Sequence, residues 1–171
     1  MKSCRHCTSP PLPRLRLCIS HFQKREEAKK LEREKREAKK IKKLYTITGR
    51  KKLKKKAEAL VRLYVRKRAV DFSGTIQCFT CLKRVPFEKT NAGHFRHGKL
   101  DLDTRNLRPQ CVTCNLYKSG ELGRYAIRLI EEQGKEWVDQ LNQDADRDTG
   151  QHTTEFLLET IEKYKELLKK L

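Results

Sequence analysis

Two Cys-x2-Cys pairs separated by 29 residues constrain this chain more than any other feature: Cys78 with Cys81, then Cys111 with Cys114. Four thiolates at that spacing offer a complete tetrahedral shell to one zinc ion, which would pin both ends of the intervening segment together. A closed Cys4 shell keeps no open coordination position, so the ion is a structural pin, and any chemistry must come from residues that it holds in place. The segment supplies His94, His97 and Asn106, with Asn115 and Lys118 just outside it.

The other three cysteines repeat the pattern near the start. Cys4 and Cys7 are followed, after ten residues, by Cys18 and then His21. All seven cysteines and one histidine thus fall into doublets of one spacing. An odd cysteine count cannot close a full disulfide framework, and the doublets fit two zinc ions in a reducing cytosol. Cys4, Cys7, Cys18 and His21 are expected to form a Cys3His knuckle, although His6 lies between two ligands and competes with His21 for the fourth place. Three prolines in the intervening loop leave little room for regular structure. Without zinc this piece would be a disordered basic tail.

Composition matters next. The 171 residues are 36% hydrophobic, low for one large core, and carry a formal net charge of +19. Seven thiolates and two divalent ions would together subtract three charges, leaving about +16. A chain this basic seeks a polyanion. It holds neither an apolar stretch of membrane length nor a signal-peptide core, so it is expected to be soluble and intracellular, with no membrane partner.

Most of the excess charge lies between residues 24 and 68, with twenty-one Lys or Arg against six Glu. Residues 24 to about 47 are strong helix formers with only a thin apolar stripe of Ala28, Leu31, Ala38, Ile41 and Tyr45, which reads as a solvated helix. Thr48-Gly49 interrupts the pattern. A second helix is expected over about 51–70, its wider face formed by Leu53, Ala57, Leu60, Val61, Tyr64 and Val65. Charge at this density favours phosphate contact, which is independent of sequence. Lys51, Lys52, Lys54, Lys55, Lys56, Arg66, Lys67 and Arg68 are the candidates here for binding nucleic-acid phosphates.

In the central stretch, 83–87 reads as a short strand and 92–95 as a strand or turn carrying His94. The second Cys pair should lead into a short helix with Asn115 and Lys118 that Gly120 ends. Beyond it, helical spacing recurs over 122–130, Gly134 breaks it, and Trp137, Val138 and Leu141 define another helix. Residues 142–151 read as a linker. A closing helix from about Thr154 carries Leu157, Ile161, Tyr164, Leu168 and Leu171 on one face, as core or as a dimer seam.

Ala92-Gly93-His94-Phe95, Arg105-Asn106-Leu107, Gln110-Cys111-Val112-Thr113-Cys114-Asn115 and Lys118-Ser119-Gly120 resemble the HNH, or ββα-metal, endonuclease family. The whole layout resembles more closely the NinG (Rap) recombination proteins of lambdoid bacteriophages. The specific motifs cover residues 78 to 120, and the arrangement covers nearly the full chain.

The resemblance implies an α+β, mostly helical chain in four parts. An N-terminal zinc knuckle (1–22) and a basic helical arm (23–71) precede a zinc-pinned ββα-metal HNH module (72–120) and a C-terminal helical region (121–171). It also implies a structure-specific endonuclease for branched double-stranded DNA, such as Holliday junctions or D-loops, in the cytoplasm of an infected bacterial host. His94 matches the family's general base and Asn106 the asparagine that orients it. Asn115 matches the last metal-ligating position of a Mg2+ or Mn2+ site.

The family's usual aspartate before the base is Gly93 here, which has no side chain to ligate; His97, Asn91, Asp101 and Asp103 are the nearby substitutes, with His97 favoured. Arg96 and Lys118 would hold a neighbouring phosphate or serve as surface charge. A homodimer would let two sites address symmetry-related strands. The alternative to an enzyme is a non-catalytic, zinc-containing nucleic-acid-binding accessory protein, and Gly93 is its best argument.

Overall fold

The computed structural model describes residues 3–13, 15–98, 100–147 and 152–171. The chain divides into two compact units, Met1–Gly49 and Arg50–Leu171.

In the first unit, helix α1 spans Ile19–Leu44 and buries none of its residues. Leu31 and Ile41 remain 51% and 56% exposed, so its thin apolar stripe is a solvated face. The helix starts five residues earlier than its composition predicts because Cys18 takes the N-cap position in extended conformation. Its end is set by Thr46, whose hydroxyl donates to the Lys43 carbonyl (2.7 Å) and accepts from Gly49 N (3.0 Å). That second bond is a helix N-cap, so helix α2, Ile47–Arg68, begins before the Thr48-Gly49 pair that was expected to break the chain. Gly49 is needed at this corner: a Cβ there would overlap the Lys43 carbonyl and approach Leu44 O to 2.8 Å.

In the second unit, α2 buries Leu53, Ala57, Val61 and Val65, every fourth residue, which makes half of the basic stretch a core element. Strands β1 (Thr75–Gln77) and β2 (Arg84–Pro86) pair antiparallel, as do β3 (Thr90–His94) and β4 (Leu107–Cys111). The second hairpin runs in register from Thr90↔Cys111 to His94↔Leu107. A wide turn, Thr113–Tyr117, follows β4. Helices α3 (Leu122–Gln133), α4 (Lys135–Arg147) and α5 (Thr154–Lys169) complete the chain, with Gly134 at φ +90 between α3 and α4. Among the described residues the result is a mostly helical α+β architecture with two small sheets.

Tyr125, Leu129, Val138 and Leu141 of α3 and α4 pack with Leu100 under the hairpin, and Phe79, Phe95 and Trp137 close over them. Phe79 and Phe95 meet the Tyr125 ring from two directions, at 4.9 and 5.6 Å. On α5, Leu157, Ile161 and Tyr164 are buried, so these stripe residues are core, while Leu171 is exposed. Helix α4 runs through 142–147, which had read as linker, because Asp144 accepts bonds from Gln140 (2.8 Å) and Arg105 (2.9 Å) on a helix face. The rest of that expected linker, 148–151, lies outside the described residues. Among the described residues no helix is long and apolar enough to cross a membrane.

Candidate metal centres and the His94 site

The first unit brings Cys4, Cys7, Cys18 and His21 together, one ligand atom from each lying within 4.8 Å of the others. His21 Nδ1 sits 3.2 Å from the Cys18 sulfur and 3.6 Å from those of Cys4 and Cys7. A tetrahedral zinc with bonds of about 2.0–2.3 Å needs donor separations of this size. His6 stands beside the cluster, its ring 5.4 Å from that of His21, which leaves His21 as the fourth donor. Cys18 is the N-cap of α1 and His21 lies in its first turn, so a metal here would fasten a helix end that has no side-chain cap.

Cys78, Cys81, Cys111 and Cys114 form the second group. Cys81 and Cys111 sulfurs are 3.8 Å apart, again the spacing of a tetrahedral thiolate shell. Burial opposes ionisation of Cys78, yet backbone N–H groups of Cys81, Cys111 and Thr80 and the Thr80 hydroxyl hold its pKa down to about 6. Burial, with the charge of Cys78 added, pushes Cys114 up to about 12. Four thiolates therefore coexist here only when a cation neutralises them. The Phe79 N–H donates to Pro109 O at 2.8 Å, tying the first Cys pair to β4.

His94 ends β3 opposite Leu107, with its side chain only 10% exposed. Its Nε2 is buried without a hydrogen-bond partner; the nearest carboxylate oxygen, from Asp101, is 3.9 Å away. Burial, then the charge of Arg62, pulls its pKa below the ordinary 6.5, against the opposing pull of Asp101. The ring is therefore neutral at pH 7. Asp101 is held by Lys54 Nζ at 2.9 Å.

Asn106, fully buried, does not orient the imidazole through a bond to the ring. Its Oδ1 accepts from Arg96 N (2.7 Å) and its amide donates to Arg96 O (2.8 Å) and Leu100 O (3.1 Å). It clamps the loop after β3, which carries Asp101 back toward His94. The Tyr125 hydroxyl donates its one proton to Gly93 O (3.2 Å), with Asn106 O at 3.4 Å as a second acceptor in reach, which ties both strand ends to α3.

On the other side of β3, a Cβ at residue 93 would overlap Gln110 Oε1 and lie 3.1 Å from Asn115 Oδ1. Gln110 is fully buried; its Nε2 donates to Gly120 O (2.8 Å) and Thr80 Oγ1 (3.3 Å). The same Thr80 oxygen is 3.4 Å from the Cys78 sulfur, so the thiolate centre is joined to this pocket through Thr80 and Gln110. Gly120 can aim its carbonyl at Gln110 only with φ +79, a backbone conformation that favours glycine. Nothing in the one-dimensional pattern singles out Gln110; the β3–β4 register together with the missing side chain at 93 does.

The family model described as Bacteriophage Lambda NinG protein matches residues 13–171. The chain belongs to the NinG family. It is 34% identical over 97 residues to protein ninG of Escherichia phage 933W, which covers 54% of this chain and 46% of that protein. Against protein ninG of Salmonella phage P22 and of Escherichia phage lambda the identities are 35% and 33%, over 54% of this chain and 45% of each relative. The matched part thus spans less than half the length of these relatives. No solved structure matches the chain.

The basic residues of this NinG-family chain divide into two groups. Lys51, Lys52, Lys55, Lys56, Lys67 and Arg68 are exposed. Arg66 turns inward: it donates to Thr90 Oγ1 (3.1 Å) and Phe87 O (2.6 Å), and its guanidinium lies 4.1 Å from the Phe87 ring centroid. Lys54 is committed to Asp101 and Glu58. Arg96 and Lys118 are exposed and engage Asp146 (2.8 Å) and Glu121 (2.7 Å). His97 is exposed, its ring centroid 6.1 Å from that of His94. Asp103 is occupied by Arg105, at 2.7 Å, and Asn91 is half-buried on β3.

Proposed function

We propose that this chain is a divalent-metal-dependent endonuclease of the HNH type, hydrolysing phosphodiesters in branched recombination intermediates such as Holliday junctions or D-loops. The observation that carries the reading is His94: a neutral, largely buried imidazole with an unpartnered Nε2, at the end of a hairpin that a Cys4 group fastens.

A neutral histidine takes a proton from the water that attacks the phosphorus, the P–O3′ bond breaks, and the departing 3′ oxygen takes a proton from solvent, leaving a 5′-phosphate and a 3′-hydroxyl. A bound Mg2+ or Mn2+, held in part by Asn115, would supply positive charge for a phosphate oxygen and the leaving 3′ oxygen. Asn106 acts at one remove, by holding Arg96 and Leu100 and thus Asp101. Two zinc ions, one in each cysteine group, are structural. Exposed lysines of α1 and α2 bind phosphates of the DNA flanks. The protein would act inside the infected bacterium, and a homodimer would address two strands of a junction at once.

A second reading, a non-catalytic accessory protein that binds DNA, is favoured by one feature: Gln110 fills the place of a ligating side chain at 93. Nicking of a synthetic four-way junction separates the two. For the enzyme, cleavage depends on Mg2+ or Mn2+ and is lost in His94→Ala, while zinc content and junction binding persist. Absence of cleavage across divalent metals leaves the binder.

A further inference from the structure

We propose that Gln110 is a ligand of the divalent cation, its amide oxygen standing in, with Asn115 Oδ1, for the side chain that Gly93 lacks. The proposal rests on the nuclease reading and adds to it a residue from the opposite strand. Three observations converge on it. Gln110 Oε1 is fully buried and has no hydrogen-bond partner. Its orientation is fixed, because Nε2 donates to Gly120 O at 2.8 Å and a flipped amide would set two oxygens face to face. The oxygen also occupies the space that the first carbon of a side chain at 93 would fill, where Asn115 Oδ1 also points.

Two amide oxygens are hard donors suited to Mg2+ or Mn2+, and a cation would supply the partner that this buried acceptor lacks. Strand alternation puts residues 93 and 94 on opposite faces of β3, and Asp101 lies on the side of His94. Residue 93 faces Gln110 and Asn115, whereas His94 faces Asp101 and Arg62. A phosphodiester at this end of β3 would meet the imidazole on one side and a cation held by the amide oxygens on the other. Neutral donors leave the cation's charge uncompensated, so this ion binds more tightly when a phosphate arrives with it. The Thr80 link gives the thiolate centre a part in aiming the amide.

The test is Mn2+ binding to the full zinc-loaded chain, read by the electron-paramagnetic-resonance signal of free Mn2+, with zinc content measured on each sample. Gln110→Ala should weaken Mn2+ binding by about tenfold or more. Gly93→Ala should do the same with Gln110 still present, because the added methyl group displaces Oε1. The double variant G93D/Q110A, which puts a carboxylate where the amide oxygen was, should restore binding to at least the wild-type level.

Unchanged Mn2+ affinity in zinc-replete Gln110→Ala overturns the proposal and identifies Gln110 as packing alone, while Mn2+ binding that Asn115→Ala abolishes would leave the nuclease reading standing. If Gln110→Ala loses zinc, the Gly93→Ala and G93D/Q110A results decide. Failure of the wild-type chain to bind Mn2+, with or without a four-way junction, overturns both.

Discussion

Replacing Asn106 with alanine removes three short hydrogen bonds from the strand end that carries His94. The Arg96 N–H and the Arg96 and Leu100 carbonyls each lose their partner, at 2.7, 2.8 and 3.1 Å in the native chain. The two groups of Arg96 are only partly buried and regain water, at about 1 kcal/mol each, while the buried Leu100 carbonyl costs about 1–3 kcal/mol. The sum is about 3–5 kcal/mol, a fall of roughly 10–20 °C in Tm for a unit of this size. Urea unfolding at saturating zinc measures it, with the metal concentration held fixed because bound metal raises apparent stability. Asn106→Asp keeps the acceptor for Arg96 N but turns both carbonyl contacts repulsive, so it should be no better than alanine. Hydrogen exchange at the Arg96 amide should rise in Asn106→Ala, where its acceptor is gone. A loss below about 1 kcal/mol in Asn106→Ala would refute the clamp, and Asn106→Asp at wild-type stability would show that its amide donors do nothing.

Three further outcomes are expected. Burial depresses the folded-state pKa of His94, so the unfolded chain takes up its proton first as pH falls; the stability contributed by the neutral ring is complete above about 6.5 and lost below it. The acid limb of junction cleavage should accordingly lie below pH 6.5 in a pH–rate profile and be governed by His94. Cys111→Ser should cost one of two zinc equivalents by elemental analysis, and because thiolates must ionise to bind, zinc affinity should fall as pH is lowered. Changing Lys35, Lys39 and Lys42 of α1 together to glutamine should reduce the salt dependence of junction binding by a slope of up to about 3, seen by fluorescence anisotropy. Because α1 buries nothing, its helicity by circular dichroism should be unchanged.

Both candidate metal-ligand sets were legible in the sequence because a doublet with two residues between its members, three times C-x2-C and once C-x2-H, encodes a local geometry, and the fold brings the doublets together. The α2 face and the helices around Gly134 were legible because their apolar spacing survives in one dimension. The start of α1 was not, since cysteine is not among the favoured N-cap residues and Cys18 makes no side-chain cap bond. Residues 142–147 misled because aspartates favour turns when nothing answers their charge, and here Arg105 answers Asp144. Arg66 was indistinguishable from its neighbours, as charge alone does not reveal that a guanidinium faces Phe87. At the site, His94 and Asn115 came from motif resemblance. Gln110 and the true partners of Asn106 depend on strand register and loop closure, which no local pattern displays.

A helix of 26 residues rises about 39 Å from end to end. One full turn of B-form duplex occupies about 34 Å. The α1 rod can therefore outreach a complete groove repeat without bending. Beyond His21 no residue of α1 answers to an interior contact, so in the proposed grip on a duplex the arm would contribute span and sign: a ruler of fixed length, positively marked.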